Sequence, residues 1–96
     1  MRTRQTRSFA IWFEGLRDRK VQSKVSARIA RFELGLMGDT KSVGGGVFEA
    51  RIDYGPGYRL YFLKRGEDWI ILLAGGDKSS QRRDIAKAKE LADQIE

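Results

Sequence analysis

The chain has 96 residues, of which 41% are hydrophobic and 33% charged: enough for one domain, residues 1–96, with a small core, and too little for two domains or for a disordered polyelectrolyte. With 19 Lys+Arg against 13 Asp+Glu the formal charge is +6, which suits an anionic partner such as nucleic acid, an acidic protein or a membrane surface. Cysteine and histidine are both absent, which excludes disulfides, thiolate nucleophiles, His-based triads and the usual zinc and non-haem iron ligand sets; no cofactor and no metal is expected.

The first segment, Met1 to Arg7, is basic but leads into no apolar run of the kind a secretory signal needs. A short strand is possible over Arg2 to Arg7. Phe9, Trp12, Phe13 and Leu16 then recur at helical spacing, with Thr6 or Ser8 available as the cap. Val21, Val25, Ile29, Phe32 and Leu36 form a second stripe of the same period, capped by Asp18 and closed by Gly35 and Gly38. So short a connection, Arg17-Asp18-Arg19-Lys20, predicts an antiparallel helical hairpin.

Beyond Gly38 the period changes to two. A short strand is possible near Lys41 to Val43. Phe48, Ala50, Ile52 and Tyr54 alternate with Glu49, Arg51 and Asp53; after the turn Gly55-Pro56-Gly57, Tyr58, Leu60 and Phe62 alternate with Arg59, Tyr61 and Leu63. This is a β-hairpin with an apolar face and a polar face. A second turn, Lys64 to Asp68, leads to Trp69–Ala74, the longest apolar run, which has the length of a buried strand and falls far short of the ~18 residues of a membrane span. Gly75-Gly76-Asp77-Lys78-Ser79-Ser80 breaks that strand, and Ile85, Ala88, Leu91, Ala92 and Ile95 mark a third helix. The order helix, helix, strand, strand, strand, helix predicts an α+β layer, an antiparallel sheet with helices against its apolar face. Trp12, Phe13, Phe32 and Trp69 are read as core.

The polar face of the hairpin carries the chemistry. Glu49, Arg51, Arg59 and Tyr61 stand on neighbouring strands of that face, bringing two guanidiniums, a carboxylate and a phenol together. Arg binds phosphate through two N–H groups and Tyr stacks on a base, although the same residues also fit an ordinary half-wet sheet. The corner Gly75 to Ser80 offers backbone N–H groups and Lys78 to a phosphate, or simply caps the following helix. It lacks the spacing of a P-loop. Lys41 is either a further phosphate contact or a solvated loop lysine.

Four blocks occur together: Gly38-Asp39-Thr40-Lys41; Gly46-Val47-Phe48-Glu49-Ala50-Arg51-Ile52; Gly55-Pro56-Gly57-Tyr58-Arg59-Leu60-Tyr61-Phe62; and Leu72-Leu73-Ala74-Gly75-Gly76-Asp77-Lys78-Ser79-Ser80-Gln81. With them the chain resembles the RelE/ParE superfamily of toxins from type II toxin–antitoxin pairs, and within it the phage-related addiction module killer branch, similar to HigB-type toxins. The resemblance covers about Phe9 to Leu91. It implies a RelE-like fold, two N-terminal helices packed on a curved antiparallel sheet with a C-terminal helix. It also implies a cytoplasmic, ribosome-dependent mRNA interferase, an RNA-binding endoribonuclease that inhibits translation and is neutralised by a cognate antitoxin. Its partners would be that antitoxin, mRNA and the ribosome, with no membrane and no metal.

Carried over by residue, the resemblance makes Arg59 the group that stabilises the scissile phosphate. Arg51 matches a basic position of the preceding strand, Glu49 stands where a second lysine can occur, and Lys78 matches the basic residue after the last strand. These four are the expected catalytic residues; Lys41, Tyr61 and Gln81 are the expected RNA-binding residues. The C-terminal Tyr or His that some members use has no counterpart here. Cleavage would proceed by attack of the 2′-hydroxyl on the adjacent phosphorus, with Glu49 or a lysine as base, Arg59 and Arg51 stabilising the phosphorane, and Lys78 or Tyr61 assisting the leaving group. A ParE-like poison of DNA gyrase and a non-enzymatic nucleic-acid-binding module are the alternatives.

Overall fold

A computed structural model describes residues 1–95; Glu96, the last residue of the expected domain, lies outside them. The elements are β1 (Arg2–Gln5), α1 (Arg7–Glu14), α2 (Arg19–Glu33), β2 (Thr40–Gly44), β3 (Val47–Ile52), β4 (Tyr58–Arg65), β5 (Trp69–Asp77) and, after a 3₁₀ turn at Lys78–Ser80, α3 (Gln81–Gln94). Among the described residues no helix is long and apolar enough to cross a membrane.

Local chemistry explains the helix ends. Thr6 caps α1: its Oγ1 accepts the Phe9 N–H at 3.1 Å and donates to the Leu73 carbonyl at 2.6 Å, so one hydroxyl starts the helix and ties it to β5. Asp18 caps α2 by accepting the Lys20 N–H at 2.8 Å. The second stripe was expected to run to Leu36, but α2 ends at Glu33. Gly35, at φ 81°, closes it: the Gly35 N–H bonds the Phe32 carbonyl and the Leu36 N–H reaches back to Arg31, which leaves Leu36 58% exposed.

The strands form one five-stranded sheet in the order β1-β5-β4-β3-β2. β2 to β5 are antiparallel neighbours, whereas β1 lies parallel to β5, so the sheet is mixed and not wholly antiparallel as expected. The parallel edge follows from the way β1 enters: the Arg2 N–H bonds the Asp68 carbonyl and the Thr6 N–H the Leu72 carbonyl, so β1 advances beside β5 in the same direction.

The sheet has two buried faces. Phe9 of α1 and Val21, Val25 and Phe32 of α2 share a cluster with Ala50, Ile52, Leu60, Phe62, Ile70 and Leu72. Ala88 of α3 shares a second cluster with Val47, Tyr61, Ile71, Leu73 and Ala74, which alternate with the first set along their strands. The expectation of helices against one face, with the other left polar and wet, is therefore corrected: the apolar stripe of α3 needs cover and takes it from that second face.

β5 also continues where a break was expected. Tyr61 pairs with Ala74 and Phe62 with Leu72, so Leu73 is a bulge and the alternation resets beyond it. Gly75 and Gly76 stay in the strand because each admits a neighbour that a side chain would displace. A Cβ at 75 would overlap the Trp12 ring, and one at 76 the Asp84 carboxylate. Trp12 and Phe13 pack against the first cluster as expected. Trp69, expected in the core, is half-buried and belongs to neither cluster.

Candidate functional site

Strand register assembles the site. Glu49 faces Tyr61 and Arg51 faces Arg59 across β3–β4, and Arg59 faces Gly76 across β4–β5, so all share the face toward α3. The period-two reading brought these four side chains together correctly. It did not foresee that Glu49 is 1% exposed and Tyr61 0% exposed.

A buried carboxylate needs donors, and Glu49 has them. Its Oε2 accepts from the Tyr61 hydroxyl at 3.0 Å and from Nε2 of Gln81, the first residue of α3, at 2.9 Å. Arg59 Nε lies 3.6 Å from the same oxygen, and Lys41 Nζ lies 3.9 Å from Oε1. Burial, then the Glu49 charge and the hydrogen bond to it, push the Tyr61 phenol far above the ordinary tyrosine range. Tyr61 therefore stays a proton donor to Glu49. The expected exposed carboxylate and stacking phenol are instead an internal polar pair, and half-buried Gln81 joins them.

Arg59 is 7% exposed and lies beside the Glu49 carboxylate of this pair. Its Nη1 donates to the Gly57 carbonyl at 2.9 Å, and its buried Nε has no hydrogen-bond partner. Gly57, at φ 81°, allows the turn to lie against that guanidinium; a Cβ there would stand 3.3 Å from Nη1.

Beside Arg59 a surface cleft of about 270 Å³ is lined by Arg51, Ile52, Asp53, Gly55-Pro56-Gly57, Arg59 and Lys78. Three expected catalytic cations thus meet at one opening. Arg51 is exposed, its Nε 3.7 Å from Asp39 Oδ2. Lys78 is exposed at the start of the 3₁₀ turn. Lys41 is 63% exposed near Glu49 and is not among the cleft-lining residues.

Several supporting residues escaped the sequence reading. Arg28 of α2 donates from Nη2 to the Arg51 carbonyl at 2.7 Å, bracing β3 at the cleft. Burial, then the neighbouring Arg31 charge, lowers its pKa. Its spacing, between Val25 and Phe32 of the apolar stripe, was the available signal. Asp77, by contrast, fits the capping reading of the Gly75 to Ser80 corner: it caps the 3₁₀ turn, its Oδ1 accepting the Ser79 N–H at 2.8 Å and the Ser79 hydroxyl, and these bonds hold its carboxyl below the usual range. Asp84 of α3 is buried against Gly76 and bonded by the Ser80 hydroxyl, an arrangement no local pattern announces. Asp53, the one carboxylate among the cleft-lining residues, was read only as an alternating strand residue.

Fold and cleft define a small α+β domain with a cationic opening at one end of its sheet. Residues 12–95 match the sequence model of the family described as Phage derived protein Gp49-like (DUF891). An uncharacterized protein of Haemophilus influenzae is 46% identical over 90 residues, 94% of this chain and 91% of that protein. The chain belongs to the Gp49-like family of phage-derived proteins.

Proposed function

We propose that this Gp49-like protein is the toxin of a type II toxin–antitoxin pair and acts as a ribosome-dependent mRNA interferase restrained by a cognate antitoxin. The observation that carries the reading is the convergence of Arg51, Arg59 and Lys78 on one cleft that the Gly55-Pro56-Gly57 turn also lines. The phage-derived family and the resemblance of the four sequence blocks to RelE/ParE-type killer proteins support it.

In this reading the cleft holds the scissile phosphodiester. The 2′-oxygen attacks phosphorus, the bond from phosphorus to the 5′-oxygen breaks, and the products are a 2′,3′-cyclic phosphate and a 5′-hydroxyl. Arg59 and Arg51 take the charge that develops on the phosphorane oxygens. The Lys78 ammonium gives a proton to the departing 5′-oxygen. Asp53 lines the cleft and receives the 2′-hydroxyl proton; Glu49, enclosed and already accepting from two donors, is a positioning residue that aims Arg59. The ribosome supplies the alignment of 2′-oxygen, phosphorus and 5′-oxygen that so small a cleft does not impose.

The test is inducible expression in bacteria with mapping of RNA 5′ ends within minutes. Cuts in phase with codons, bearing 5′-hydroxyl ends, are expected from the unaltered chain. Lys78→Ala and Arg51→Ala, both at exposed positions, should each lower the cutting rate by about 10²–10³ with an unchanged melting temperature. Intact mRNA accompanied by an SOS response would overturn the reading in favour of gyrase poisoning. Salt-dependent RNA binding without cut ends would overturn it in favour of a binding module.

A further inference from the structure

The far end of the sheet presents a second cationic surface. Arg2 pairs with Trp69 across β1–β5, and Trp69 with Arg65 across β5–β4, so the three side chains form one row on the face toward α3. The Arg2 and Arg4 guanidiniums lie over the Trp69 ring at 5.6 and 5.0 Å from its centroid. Trp69 is half-buried yet packs into neither buried cluster. Among the described residues, the side chains of Arg2, Arg4 and Arg65 make no ion pair and no hydrogen bond, although Glu67 and Asp68 stand in the adjacent turn. Asp68 uses its backbone carbonyl, which accepts the Arg2 N–H at 2.6 Å. A recess of about 420 Å³ opens beside the row, lined by Met1, Arg2, Asp68 and Trp69.

We propose that this row binds single-stranded RNA at a position separate from the cleft. The inference rests on the reading that RNA is the ligand of the cleft. The seven-residue separation of Trp69 and Gly76 along β5 places the two surfaces roughly 23 Å apart. A guanidinium lying on an indole keeps its N–H edge free for a phosphate, and its outer face, like the ring, offers a platform for an unstacked base. An acidic protein surface would satisfy the charges and leave the stacked aromatic unused, which is why RNA is the favoured occupant. The row thus anchors the strand whose scissile bond occupies the cleft.

Trp12→Phe leaves Trp69 as the sole tryptophan of the chain, and its fluorescence reports the row. If Trp12→Phe fails to fold, the difference between the unaltered chain and Trp69→Phe gives the same signal. A short oligouridine is expected to quench Trp69. Arg2→Gln with Arg4→Gln should weaken the quench and reduce the slope of log affinity against log salt by about 1.4, the effect of two lost phosphate contacts on a single strand. Lys78→Ala should leave the Trp69 quench in place. No quench, a quench insensitive to the arginine substitutions, or an equal quench by polyglutamate overturns the proposal, the last in favour of an acidic protein partner. A quench in a chain that cuts no RNA upholds this surface while the nuclease reading falls; cutting without a quench removes this surface alone.

Discussion

Replacing Arg59 tests the site and the core together, because its closest charged partner is enclosed. The Glu49 carboxylate is 1% exposed, with Arg59 Nε at 3.6 Å and Lys41, itself 63% exposed, at 3.9 Å. At that separation and an effective dielectric of ~20, the gross attraction to Arg59 is about 4–5 kcal/mol. Arg59→Ala leaves Glu49 with two neutral donors and a screened lysine. Water entering the vacated space recovers part of the loss, so the net cost should be about 3 kcal/mol, the lower end for a broken buried pair. A chain of this length has roughly 5–14 kcal/mol of stability in all, so the variant remains folded only at the cost of a large share of it. Glu49→Gln keeps an acceptor for Tyr61 and Gln81 and removes the charge. In a double-mutant cycle followed by urea unfolding, Glu49→Gln and Arg59→Ala should couple by about 2 kcal/mol. Additivity within roughly 0.5 kcal/mol would refute the claim that Glu49 holds Arg59 in place. Arg59→Lys, which keeps the charge and loses the fork, then separates loss of chemistry from loss of folding.

Gly76→Ala should cost about 2–3 kcal/mol by driving a Cβ into the buried Asp84 carboxylate, and lower the melting temperature by roughly 10 °C; an unchanged melting curve would refute that packing. Tyr61 should remain a neutral phenol beyond the ordinary tyrosine value of about 10, so near-UV absorbance should show a tyrosinate component that emerges only with alkaline unfolding and is missing from Tyr61→Phe. Because its folded pKa is raised, stability should fall as pH rises through that ordinary value, and Tyr61→Phe should lack this part of the slope. Asp77 has the opposite sign: its folded pKa is depressed, so its contribution is present at neutral pH and lost on acidification through the folded value. The small stability gap between the unaltered chain and Asp77→Asn should close below about pH 4, and a constant gap would refute the role of the Ser79 bonds.

Much of this was legible along the chain. The stripes at Phe9 to Leu16, Val21 to Leu36 and Ile85 to Ile95 mark the three helices, each running a little past the last helical residue, and the alternation on both sides of Gly55-Pro56-Gly57 marks the β3–β4 pair. That alternation also assigned Glu49, Arg51, Arg59 and Tyr61 to one face, since a strand offers side chains only two directions. The apolar run Ile70 to Ala74 held a further message that went unread: a strand apolar at every position is covered on both faces, which required a helix on the second.

The sequence by itself determined the α+β class, the elements and the grouping of the cationic residues, because spacing and turn chemistry act between near neighbours. Tertiary structure alone decided which members of that group meet solvent. Docking of α3 enclosed Glu49 and Tyr61 in a hydrogen-bonded network with Gln81 and left Arg51, Asp53 and Lys78 around the opening beside Arg59. The fold also placed β1 on the free edge of β5, so that residues 2 and 4, distant along the chain from 65 and 69, became one surface with them. Burial is a property of what packs above a residue, and a hydropathy pattern states only which residues gain by being covered.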